Sequence, residues 1–199
     1  MRLDVAWAPV QWPGMEHAVL SASSRGPRLS GLAIFVLDER PYRVTYGVAC
    51  DAAWRTRRLT VTVHGPGAVL VGQVSLLADG AGRWADALSD RPLPELDGCI
   101  DVDLSATPLT NTLPILRLGL SPGTARDIKA AYVEVPELAV SAMAQRYTHT
   151  GSDGDRATYR YESAGFAADL PVDEHGLVID YPGLWRRIPL QSPTPVAMA

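Results

Sequence analysis

Lysine is almost missing from this chain: Lys129 stands alone, and arginine supplies the rest of the positive charge. With 18 basic and 22 acidic residues the formal net charge is −4. That leaves no basic field to draw in phosphates and sets nucleic acid aside as a partner. Cysteine is scarce too. Cys50 and Cys99 are too far apart for a metal knuckle or a CxxC redox pair, and both lie in apolar, strand-like runs that predict buried free thiols. The four histidines are scattered without metal-ligand spacing, so neither a metal nor a cofactor is expected. GxGxxG, Walker, HExxH and GxSxG motifs are all missing. No apolar segment of the signal-peptide kind follows Met1, and the longest greasy run, Leu32 to Leu37, is far too short to cross a bilayer. A cytoplasmic chain without stable membrane insertion is the expectation; its oligomeric state is left open.

What is present is mainly strand signal. Val44, Tyr46, Val48 and Cys50 alternate with Arg43, Thr45, Gly47 and Ala49, and Leu59, Val61 and Val63 alternate with Thr60, Thr62 and His64. Period-two alternation sends one set inward. His64-Gly65-Pro66-Gly67 reads as a turn, and the apolar run Ala68 to Ala78 returns as the second arm of a hairpin. Strands are also read at Cys99–Leu104, Tyr132–Val135, Leu138–Thr148, Arg156–Ser163, Phe166–Val172 and Leu177–Tyr181. Between Thr107 and Ile115 two prolines forbid a central strand, and Thr110 or Asn111 could cap one helical turn. Thr124-Ala125-Arg126-Asp127 resembles a capping box and predicts a short helix to about Ala131. Short strands separated by Gly/Asp turns, with no βαβ alternation, indicate a mainly β antiparallel meander. At 199 residues a single domain over 1–188 is expected, followed by a proline-rich tail, 189–199, read as flexible.

Asp101 and Asp103 are the most informative polar pair. At i and i+2 on a strand both carboxylates project from one face. They could be a solvated surface, an internal hydrogen-bond network or ligand contact, or an acid/base or cation site. His17, next to Glu16, is a hydrogen-bonding or general-base candidate. Tyr159 and Tyr161 share a strand face, with Tyr147 placed across the hairpin from them. Rings of this kind line lipid and sugar pockets, and they also fill ordinary cores.

The segment Asp97-Gly98-Cys99-Ile100-Asp101-Val102-Asp103-Leu104-Ser105-Ala106-Thr107-Pro108-Leu109-Thr110-Asn111-Thr112-Leu113-Pro114-Ile115 resembles the signature of the bacterial "putative glycolipid-binding" family. Glu16-His17, Tyr46, Trp54-Arg55-Thr56-Arg57, Asp79-Gly80, Gln145 with Tyr147, and Tyr181-Pro182-Gly183-Leu184-Trp185-Arg186 match in order, with Trp185 where Phe is usual. The resemblance implies a curved antiparallel sheet forming a half-open barrel with one or two short helices, similar to lipoprotein carrier and localisation factors. Its concave face would shelter acyl chains. Polar rim groups would then read a headgroup: His17, Arg57, Asp101, Asp103, Asn111 and Arg186, with Trp54, Tyr147, Tyr161 and Tyr181 as rings.

The expected function is therefore non-enzymatic binding of a glycolipid or lipid-like small molecule. Two alternatives stand beside it. One is an enzyme on a small polar or lipid-like substrate using Asp101, Asp103 and His17. The other is a structural or protein-interaction domain with a filled core.

Overall fold

The computed structural model describes residues 1–190, so the expected tail, from 191 on, lies outside the described residues. The strands among them are β1 (Arg2–Pro9), β2 (Gly14–Ser23), β3 (Gly26–Leu37), β4 (Arg40–Cys50), β5 (Thr56–His64), β6 (Leu70–Ala78), β7 (Trp84–Asp86), β8 (Asp101–Leu104), β9 (Ala125–Val133), β10 (Val140–Asp153), β11 (Arg156–Ser163), β12 (Phe166–Val172), β13 (Asp180–Tyr181) and β14 (Trp185–Ile188). One short helix, α1 (Thr112–Leu118), interrupts them.

The strands form two sheets. The larger runs β13-β14-β1-β2-β3-β4-β5-β6-β7 and is antiparallel throughout; the smaller runs β12-β11-β10-β9-β8. Only β8 and β9 pair in parallel, with Asp103 opposite Tyr132. The sheets meet at both sides. On one, Val172 bridges Val178 and the Ile179 N–H donates to the Pro171 carbonyl at 2.8 Å. On the other, the Thr56 N–H donates to the Ile100 carbonyl at 3.2 Å. The result is mainly β and curled into a half-barrel, as the alternation and the resemblance led one to expect.

The inward set of the alternation makes the core. Val44, Tyr46, Val48 and Cys50 of β4 and Leu59, Val61 and Val63 of β5 are all buried. The curl does not leave an open gutter, because the chain folds back into it. Residues 106–115 are buried without a break, first through a tight turn at Leu109–Asn111 and then into α1. Pro114 is tolerated in the first helical turn, where its missing N–H would have had no intrahelical partner. Gly119, at φ 52°, ends the helix in the left-handed region. This plug is polar as well as apolar, and each polar group is tied down. Thr110 accepts from the Leu104 N–H at 3.2 Å, Thr112 donates to the Gly176 carbonyl at 2.9 Å, and Asn111 accepts from the Tyr147 hydroxyl at 2.8 Å. Asn111 occupies the cap position of α1 but makes no capping bond, since its side chain is committed to Tyr147 and the Pro108 carbonyl.

Three expectations need correction. The helix expected from Thr124 to about Ala131 is strand β9: Thr124 bonds back to the Ser121 carbonyl, and Asp127 pairs across the sheet with Arg146 at 2.8 Å instead of closing a capping box. The strand read at Leu177–Tyr181 shrinks to the two residues of β13 and the Val178 bridge. The stretch from Arg2 to Leu37, to which the sequence reading assigned no strand, forms β1, β2 and β3, and the apolar run Leu32 to Leu37, weighed only as a membrane span, ends β3.

Candidate functional site

The plug leaves a cavity of about 380 Å³ between it and the edge where β10, β11 and β12 approach β13 and β14. That is the lower range of small-molecule sites. Its apolar wall is aromatic: Trp12, Tyr132, Tyr161, Phe166, Tyr181 and Trp185, with Met143 and Leu184. Tyr161, Phe166 and Tyr181 form a triangle with ring centroids 6.1–6.3 Å apart. Trp12 meets Trp185 edge-on at 6.2 Å. Phe166 is 42% exposed and stands at the mouth. A smaller cavity of about 150 Å³ adjoins this one across Trp12, Ser105, Tyr132 and Trp185, and adds the greasy surfaces of Phe35, Leu37 and Val135 and a second acidic residue, Glu134.

The polar lining comes from β8, the plug that follows it and the end of β11. Asp103, Ser105, Thr107, Asn111 and Ser163 all border the larger cavity. Asp103 is held from behind: Thr110 donates to Oδ1 at 3.1 Å and buried Gln145 donates to Oδ2 at 2.6 Å. A carboxylate has about four lone-pair sites, so two bonds leave Asp103 with acceptor capacity toward the cavity. Burial pushes its carboxyl upward, while the bonds from Gln145 and Thr110 oppose that push. The same charge reaches the surrounding phenols. Burial first, then the Asp103 carboxyl, raises the hydroxyls of Tyr132, Tyr147 and Tyr161; for Tyr181, Asp103 follows Tyr161 among the causes. These hydroxyls therefore stay protonated and remain donors.

Asp101 shares the face of Asp103 but serves a different end. It is fully buried and takes a two-pronged bond from Arg117, with Nε at 2.9 Å and the terminal nitrogen at 2.5 Å. Burial pushes its carboxyl up and the guanidinium pulls it down. Neither aspartate belongs to a solvated surface; both sit in an internal network.

Of the residues singled out from the sequence, Asp103, Asn111, Tyr161 and Tyr181 line the cavity. Tyr147 lies directly behind it, bonded to Asn111 and edge-on to Tyr161 at 5.3 Å. The others lie elsewhere. His17 is on the outer face of β2, 2.9 Å from Asp4. Arg57 donates to the Ala78 carbonyl and lies 3.7 Å from Asp51, and Trp54 sits in the turn after β4 at φ 64°. Arg186 is exposed and lies 3.8 Å from Asp180. The trio weighed for acid/base work, Asp101, Asp103 and His17, is not brought together. Among the described residues, no arginine, lysine or histidine lines either cavity.

Sequence reasoning passed over Glu16, the neighbour of His17. Its carboxyl is fully buried, and burial raises it from an ordinary 4.5 to about 8. Oε1 is bonded to the Tyr46 hydroxyl, and Oε2 has no partner among the described residues. Tyr46 in turn is 3.1 Å from Oγ1 of Thr107, on the cavity lining. The signal was available. Glu16 is in phase with Ala18 and Leu20, the inward set of β2, whereas His17 is in phase with exposed Met15.

Comparisons with other proteins agree with this architecture. A crystal structure of a DUF1089 family protein from Pseudomonas aeruginosa is 37% identical, covering 87% of this chain and 92% of that one, with a TM-score of 0.75. A β-barrel-like protein of the domain of unknown function DUF1849 from Brucella abortus shares the fold at 11% identity and a TM-score of 0.59, with 94% and 93% of the two chains covered. No curated protein matches the chain. Residues 4–187 match a family described as "putative glycolipid-binding", and the chain belongs to that family.

Proposed function

We propose that the chain binds an amphipathic ligand with an uncharged, hydroxyl-rich headgroup, a glycolipid or a close analogue, in the aromatic cavity. One observation carries this reading: a cavity walled by aromatic rings contains a carboxyl acceptor, Asp103, and, among the described residues, no basic side chain. Ring faces suit the apolar face of a sugar or an alkyl chain. Asp103 and the tyrosine hydroxyls suit sugar hydroxyls. A phosphate or carboxylate headgroup would meet repulsion and find no guanidinium to bind it. Family membership and the half-barrel support the same reading.

The plug sets the size of the ligand. Only part of a long acyl chain fits within the two cavities, so the affinity comes from a few methylenes, at about 0.8 kcal/mol each, together with the headgroup. Binding to the native state must raise the melting temperature. The test is thermal unfolding with octyl β-glucoside, below its micellar concentration, against octyl phosphate. The glucoside is expected to raise the midpoint by a few degrees and the phosphate to leave it unchanged. Equal shifts, or none with any glycoside, would end the proposal.

A further inference from the structure

Glu16, Tyr46 and Thr107 form a row of three oxygen-bearing groups running from the buried interior of the larger sheet to the cavity lining. Nothing in the packing requires a carboxyl there. Its register neighbours on β1 and β3 are Trp7 and Ala33, both buried and apolar. Tyr46, from β4, is the titratable group that touches it. The nearest guanidinium along the same row, Arg187 of β14, lies over the Trp7 ring and is committed to Asp173 at 2.6 Å. A fully buried carboxyl with one oxygen unpartnered costs less as the neutral acid than as the anion.

Counting hydrogens decides what the row presents to the cavity. Thr107 Oγ1 already accepts from the Leu109 N–H at 3.0 Å. With Glu16 protonated on Oε1, the acid donates to Tyr46, Tyr46 donates to Thr107, and the Thr107 hydrogen is left over for the cavity. With Glu16 ionised, Tyr46 turns its hydrogen to the carboxylate, Thr107 donates back to Tyr46, and only a lone pair remains. We propose that Thr107 is a specificity-determining ligand contact whose hydroxyl hydrogen is aimed into the cavity by Glu16 through Tyr46, so that the site reads an ether or ring oxygen while Glu16 holds its proton. This deepens the glycoside reading and rests on it. An acetal supplies acceptors for Thr107 and hydroxyls for Asp103, whereas a simple alcohol supplies little of the first. The raised carboxyl of Glu16, about 8, places the change above neutrality. The titratable groups on the two cavities themselves are Asp103, Glu134 and the phenols of Tyr132, Tyr161 and Tyr181, and Glu16→Gln retains all of them.

Calorimetric titration with octyl β-glucoside from about pH 6 to about pH 10 tests this. One lost hydrogen bond corresponds to about tenfold in affinity. The wild type should weaken by that factor as pH rises, with its midpoint near 8. Glu16→Gln, whose amide donates to Tyr46 at every pH, should stay flat at the low-pH affinity, and Thr107→Val should be weak and flat. A flat wild type, or a Glu16→Gln profile that keeps the wild-type slope, overturns the relay and leaves the cavity reading standing. No glucoside binding at any pH overturns the cavity reading instead. In that case the infrared spectrum of the free protein still decides on the proton. A carboxylic-acid C=O band at neutral pH that Glu16→Gln lacks supports the relay, and no difference between the two proteins overturns it.

Discussion

Replacing Glu16 by Gln should change how stability depends on pH, with or without ligand. In the unfolded chain the carboxyl titrates near its ordinary 4.5, and in the folded protein burial moves it to about 8. Between those values the folded state holds a proton that the unfolded state has lost, so stability falls as pH rises. The contribution is fully present below 4.5, declines across the window, and is lost once pH has risen through about 8. Each pH unit costs about 1.4 kcal/mol, and the window from 4.5 to about 8 therefore spans on the order of 5 kcal/mol. A glutamine has no proton to lose and keeps a donor for Tyr46. Urea denaturation of both proteins at intervals from about pH 5 to pH 9 reads the difference directly. The wild-type midpoint should fall steeply relative to that of Glu16→Gln as pH rises, the variant becoming the more stable protein on the alkaline side. Parallel midpoints over the whole range would show that Glu16 is ionised in the native state near neutrality, and the burial argument would fail.

Three further changes probe other parts of the structure. Arg117→Met leaves the buried carboxylate of Asp101 without its guanidinium and should cost about 3–5 kcal/mol in a denaturant titration; a cost under about 1 kcal/mol would mean the pair is dispensable. Gly31→Ala drives a methyl into the Tyr46 ring and hydroxyl, so the ring must move; a loss of about 1–3 kcal/mol and an altered near-ultraviolet tyrosine signal are expected, and a neutral substitution would contradict the tight approach of β3 to Tyr46. Cys50 and Cys99 are buried, and burial raises their thiols to about 12 and about 11. Thiol reagents should label them only under unfolding conditions, and rapid native labelling of either would refute this.

Much of the fold could be read from alternation, because alternation survives wherever one face of a sheet is buried. The outer limits of β11 and β12 fall where the sequence put them, and the His64–Gly67 turn joins β5 to β6 as read. Alternation fails at β1, where Val5, Ala6 and Trp7 are buried in succession and the period-two signal vanishes. Local pattern misleads at Thr124–Asp127, where a capping motif is outweighed by pairing with β10 along all nine residues of β9, reinforced by β8 at Ala130–Val133. The site divides along the same line. Asp103, Asn111, Tyr161 and Tyr181 lie on strands or on the plug, and motif and face placed them together. Trp54, Arg57 and Arg186 matched as strings, but Trp54 lies in the turn after β4, and Arg57 and Arg186 are exposed residues of β5 and β14 whose side chains lie away from the cavity. That Asp101 faces Arg117 while Asp103 faces Gln145 depends on how α1 crosses β8, which no local pattern encodes.

The central claim is that an alkyl glycoside enters the cavity bordered by Trp12 and Trp185. Both rings border both cavities, so a glucoside brominated along its alkyl chain, titrated against the tryptophan emission, reports entry directly. Saturable quenching is expected in the wild type, reduced in Trp12→Phe and in Trp185→Phe and competed away by unbrominated octyl glucoside. Unsaturable quenching, or quenching as deep in both variants as in the wild type, would place the ligand elsewhere or nowhere.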